Sequence, residues 1–99
     1  FVAKIKMNNN KLRKIRKKID SLDLKLLNII KKRTNLVNQV IKTKKTKKEI
    51  VDKRRIKKIL KNIKKLSKKK NIDTRITQRI WMSMINSYIE YERKNFKKK

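Results

Sequence analysis

The chain has no glycine, no proline, no cysteine and no histidine in its 99 residues. Each absence removes a class of answers. Without glycine or proline, the usual punctuation of hairpins and tight turns is missing, so an all-α fold is expected. Without cysteine there is no disulfide framework and no thiolate metal site. Without histidine there is no imidazole acid–base group, no histidine-based triad and little means of holding zinc. Neither a metal nor a cofactor is expected. No apolar run approaches the roughly 20 residues of a membrane span. Phe1 to Met7 lacks the apolar stretch of a secretory signal. A cytoplasmic protein without a membrane partner is the expectation, with Met7 as the expected native start.

Acids are scarce too. Seven Asp and Glu stand against 35 Lys and Arg, for a net charge of +28. Such a charge suits a polyanion partner. A plainer reading competes with it. Lys, Asn and Ile abound together, as they would under drift toward AT-rich codons, and the lysines would then simply fill the polar faces of helices. Aromatics, which stack bases in nucleic-acid-binding segments, are only 5% of the chain. A basic helical module on nucleic acid remains the alternative of another class, and nonspecific polyanion binding is compatible with either reading.

What the sequence does contain is helical periodicity. Leu12, Ile15, Ile19, Leu22, Leu26 and Ile29 follow one another in steps of 3 and 4, and Leu36 and Val40 resume the series. This is the seam of a long helix packed on other helices. The spacing predicts a helix from about Asn10 to Lys42–Lys45, with Asn8 to Asn10 as caps. Residues 1–9 are expected to be a disordered or extended segment, and 10–99 one helical domain. At about 1.5 Å per residue the helix is roughly 50 Å long. Hydrophobic residues make up 36% of the chain, too thin a supply for one chain to cover such a helix. A second copy along the seam is the natural solution.

Thr43 to Asp52 reads as a polar loop. A second, shorter helix is predicted over Lys53–Lys69, with Ile56, Ile59, Leu60, Ile63 and Leu66 on one face. In the stretch KKNIDTRI, Asn71 suits the left-handed position after a helix end, and Asp73 or Thr74 suits the next cap. A third helix is predicted over Thr74–Phe96. Its expected ridge is Ile76, Ile80, Met84, Tyr88, Glu92 and Phe96, widened by Trp81, Ile85 and Ile89.

Two charges break these apolar rows: Arg33 in the seam and Glu92 on the ridge. A charge in a core position is costly unless something meets it. An internal ion pair between the two is one explanation. A polar cavity faced by both is the other. Only eight of the cations are Arg, so a guanidinium on a semi-buried face suggests a need for its bidentate fork. Lys44, eleven residues after Arg33, returns to nearly the same face about 16 Å along the helix. Both side chains can converge on a small anion. Arg16 lies roughly 25 Å from Arg33, too far to share that anion unless an antiparallel second copy supplies it. Arg16 can also simply pair with Asp20 at i+4. Several cations, one carboxyl group and no nucleophile make poor equipment for hydrolysis. They suit binding of a small polycarboxylate, or a reaction that needs only confinement and electrostatics.

The run from Arg16 to Arg33, R-x-x-I-D-x-L-D-x-x-L-L-x-x-x-x-x-R, followed by Lys44, resembles the first helix of the all-helical (AroQ-type) chorismate mutases. The order of long helix, polar loop, D-x-x-R (Asp52 to Arg55), short helix, I-D turn and closing helix resembles them as well. The resemblance covers about Lys11 to Phe96. It implies an intertwined antiparallel dimer of three-helix chains, each site borrowing an arginine from the partner. It implies that Arg16 (across the interface) and Arg33 hold substrate carboxylates. Lys44 would contact a carboxylate and the ether oxygen, and Asp52, Arg55 and Tyr88 would line the substrate. Glu92 falls where many members have Gln facing the ether oxygen and others have Glu. The implied reaction is chorismate to prephenate, in aromatic amino-acid biosynthesis. Where members often carry Glu after the arginine matched by Arg55, this chain has Ile56. An aliphatic residue there, with the last-helix pattern of Trp81 to Ile89, resembles a subgroup that includes both monofunctional chorismate mutases and isochorismate pyruvate lyases, so the lyase activity is the runner-up.

Overall fold

In a computed structural model of the chain, residues 2–97 are described, with side chains from Asn9 to Lys97. Three α-helices follow one another: α1 (Val2–Thr43), α2 (Lys53–Lys69) and α3 (Thr74–Asn95), with a 3-10 turn, Lys47–Ile50, between the first two. No strand occurs among the described residues. The all-α expectation of one long, one short and one medium helix holds. α1 takes in the residues before Asn10, where the asparagines had suggested a start. Nothing in Val2–Asn10 forbids helix, since Asn disfavours it only mildly and Gly and Pro are absent. The expected segment 1–9 is therefore helical from Val2 on, and Phe1 lies outside the described residues.

The chain divides into two units, Phe1–Leu36 and Val37–Lys99. The first is a length of α1. From Asn9 to Lys32 every described side chain in it is exposed, including the six seam residues from Leu12 to Ile29, at 43 to 61%. Fully burying one Leu or Ile is worth about 1.5–3 kcal/mol. Covering the six-residue seam would therefore bring on the order of 10 kcal/mol.

The second unit has its own small core. Ile41 at the end of α1, Ile50 in the 3-10 turn and Ile85 in α3 are its buried apolar side chains. α3 packs on both α2 and the 3-10 turn. In α2 the half-buried residues are Ile56, Ile59, Leu60 and Ile63, and Ser67 is buried. Leu66, expected on that face, is exposed.

Only the first turns of α3 differ from expectation; Met84, Ile89 and Phe96 are half-buried as expected. Ile76 and Ile80 are more than half exposed, whereas Thr77 and Ile85 are buried and Trp81, Tyr88 and Glu92 are half-buried. The physical reason is a hydroxyl pair. Ser67 Oγ donates to the Ile63 carbonyl at 2.6 Å and lies 2.8 Å from Thr77 Oγ1. Thr77 Oγ1 also reaches the Thr74 carbonyl at 3.3 Å, so either hydroxyl can donate in the pair. Two buried polar groups thus satisfy each other, and α3 turns Thr77 inward rather than Ile76. Gln78 Nε2 adds a bond to the Leu60 carbonyl at 3.1 Å.

The helix ends follow local chemistry. Asp52 caps α2, its Oδ1 accepting from the Arg55 N–H at 3.0 Å. At the other end Asn71 has φ 57°, the left-handed value. The Ile72 N–H donates to the Ser67 carbonyl and the Asn71 N–H to the Lys68 carbonyl, the paired bonds of a Schellman stop. Asp73 then caps α3 through the Arg75 N–H. The Arg75 guanidinium lies 3.1 Å from its carboxylate, and these bonds hold that carboxyl below its ordinary range.

Candidate active site

The expected site residues fall in both units. Arg16 and Arg33 belong to the first. Arg16 is exposed, on a shallow groove along α1 that Arg13, Lys17 and Asp20 also line. Arg33 is half-buried, and its Nη1 is closed off from solvent. It is thus more shielded than its seam neighbours Ile29 and Leu36, which are exposed.

In the second unit the end of α1 turns a stripe inward. Val37 and Asn38 are half-buried, Ile41 is buried and Lys44, just past the helix, is half-buried. Leu36 and Val40, read as the seam's continuation, are exposed. Lys44 is held by its N–H, which donates to the Ile41 carbonyl at 3.1 Å. An open cleft of about 570 Å³ brings Lys44 together with Asp52, Glu49 and Arg54. Glu49 is itself engaged, Oε2 accepting from the Lys45 N–H at 2.6 Å. The arginine on this cleft is Arg54. Arg55, one residue on, is exposed and does not line it. Asp52 has a structural task there, the cap of α2.

Tyr88 and Glu92 sit one turn apart on α3, both half-buried. The Tyr88 ring meets Tyr91 edge-on, with centroids 6.3 Å apart. Tyr91 Oη donates to Asn38 Oδ1 at 2.6 Å, tying α3 to the last turns of α1. Sequence reasoning passed over Asn38 and Tyr91. The available signal was position: Asn38 follows Val37 on the inward stripe, and Tyr91 lies three residues after Tyr88. Arg54 and Glu49 carried no such signal, because their place on the cleft depends on how the 3-10 turn folds.

Taken within the second unit, the arrangement offers cations at one end and a carboxyl group with two phenols along α3. Among the described residues no cluster of acids could hold a metal ion. Nor is any helix among them long and apolar enough to cross a membrane. The family model of chorismate mutase type II matches residues 15–93. The chain belongs to that family. The match takes in most of α1 and nearly all of the rest, so the three-helix order and the family's sequence pattern agree over the same residues. Comparisons with curated proteins and with solved structures give no match. Membership in the chorismate mutase type II family assigns a chorismate mutase type of activity, and so an enzyme of the isomerase kind.

Proposed function

We propose that the protein converts chorismate to prephenate, as a chorismate mutase of aromatic amino-acid biosynthesis. The family match over residues 15–93 carries this reading. The chain's chemistry supports it. The reaction is a pericyclic rearrangement: one carbon–oxygen bond breaks as one carbon–carbon bond forms, with no proton transfer and no covalent intermediate. A protein without His or Cys can run it by holding the compact conformer and stabilising charge on the departing ether oxygen. Arg33 binds a carboxylate, Lys44 meets a carboxylate and the ether oxygen, and Glu92 faces that oxygen. Tyr88 lines the substrate, and Asp52 and Arg55 approach it from the start of α2. Arg16 comes from the second chain of an antiparallel homodimer.

The half-burial of Arg33 favours this role over a solvated one. Arg33→Ala and Lys44→Ala should each lower kcat/KM by about 10²-fold or more, the usual cost of one charge-stabilising donor. The helical circular dichroism should be kept. If Arg33 served only the fold, Arg33→Ala would melt early and Lys44→Ala would stay active.

Ile56 supports a second reading. It is half-buried and places no carboxylate where many members have one, which keeps isochorismate pyruvate lyase activity open on the same fold. Prephenate from chorismate against salicylate from isochorismate separates the two.

A further inference from the structure

The outward face of α2 carries charge that the proposed reaction does not use. Ten of the seventeen residues of Lys53–Lys69 are Lys or Arg and none is acidic. All ten are exposed. The other face is taken up, with Ile56, Ile59, Leu60 and Ile63 half-buried. α2 is therefore a fixed rod presenting its cations away from α3.

Codon drift does not account for this. It would act on every exposed position alike, yet α3 has one lysine in 22 residues. Its exposed positions hold Ile76, Ile80, Ser83, Asn86 and Ser87 beside Arg75, Arg79 and Arg93. Lysine is densest on α2, at eight of 17 residues, against ten of 42 in α1 and one of 22 in α3.

We propose that this face of α2 binds nucleic acid through the phosphate backbone. The helix is about 25 Å long, and a duplex presents one charge per ~1.7 Å of axis, so roughly 15 phosphate charges run alongside it. Lys57, Lys61, Lys64 and Lys68 recur at steps of 4, 3 and 4 on one side of the helix, a row of point charges suited to a line of phosphates. α2 contains no aromatic residue, so bases are not stacked and the contact is sequence-independent. An anionic membrane fits less well. It requires apolar side chains beneath the cations, and the apolar stripe of α2 is engaged by α3, apart from Leu66.

The test is fluorescence anisotropy of the full chain with a labelled duplex of about 20 base pairs at roughly 50–200 mM KCl, where four to five phosphate contacts give a log–log slope near −4. The variant Lys57→Gln/Lys61→Gln/Lys64→Gln/Lys68→Gln should bind at least ~10-fold more weakly at about 100 mM salt, with less than about half the slope. The same four positions as Arg should retain binding. A control with equal loss of charge, Lys11→Gln/Lys14→Gln/Lys18→Gln/Lys25→Gln, should lose less than ~3-fold. If the quadruple α2 variant loses its helical dichroism, Lys61→Gln/Lys64→Gln is read instead, with an expected slope change of about 2. Equal losses in the α2 and control variants would overturn the proposal in favour of bulk charge. Absence of salt-dependent duplex binding would also overturn it. So would tighter binding to phosphatidylglycerol vesicles than to duplex at matched salt.

Discussion

Arg33 and Glu92 were legible as anomalies because each breaks a row of apolar residues, and both are half-buried in the fold. What periodicity could not show is the opposite case, a polar residue that belongs inside. Ser67 and Thr77 are buried because each satisfies the other's hydroxyl, a fact of two helices and not of either sequence segment. Glu92 carries a prediction of its own. To assist departure at the ether oxygen it must donate a hydrogen bond, so the protonated carboxyl is the active form. If the surrounding cations keep Glu92 ionised near neutral pH, turnover of chorismate by the wild type should rise as pH falls from about 8 to 5. Glu92→Gln supplies a donor at every pH and should remain active with a flatter profile. Identical profiles, or a misfolded Glu92→Gln, would reject the donor role.

At the scale of elements, α2 was readable end to end, because both of its stops are local. Asp52 caps by accepting from the Arg55 N–H and Asn71 tolerates positive φ, and both signals lie within a few residues of the boundary. The start of α1 was not readable, since nothing in Val2–Asn10 opposes helix strongly enough to set it. The first turns of α3 were misread because apolar side chains occupy nearly two of its faces, and only packing against α2 chooses between Ile76 and Thr77. Asn71 tests the local account. At φ 57° a side chain with a branched Cβ should be costly, so Asn71→Val should destabilise by about 1–2 kcal/mol. Asn71→Gly should be neutral or slightly stabilising. Urea midpoints at one protein concentration, with unchanged slopes, measure both. Equal midpoints for the two variants would contradict the left-handed stop.

For the whole molecule, the composition foretold the fold class and the scarcity of core. The buried apolar side chains among the described residues are Ile41, Ile50 and Ile85, and the long seam of α1 is exposed. Exposed apolar surface of that kind asks for a partner. Sedimentation should give twice the 12.1 kDa chain mass at micromolar concentration, and a folded species of single mass would refute the dimer. Where substrate specificity lies was not legible, because Ile56 is compatible with chorismate and with isochorismate. The decisive measurement is therefore incubation of the purified protein with chorismate. Prephenate should accumulate in proportion to enzyme, without added metal or cofactor, and Arg33→Ala should abolish most of it. Chorismate left unchanged by a folded protein would contradict the account.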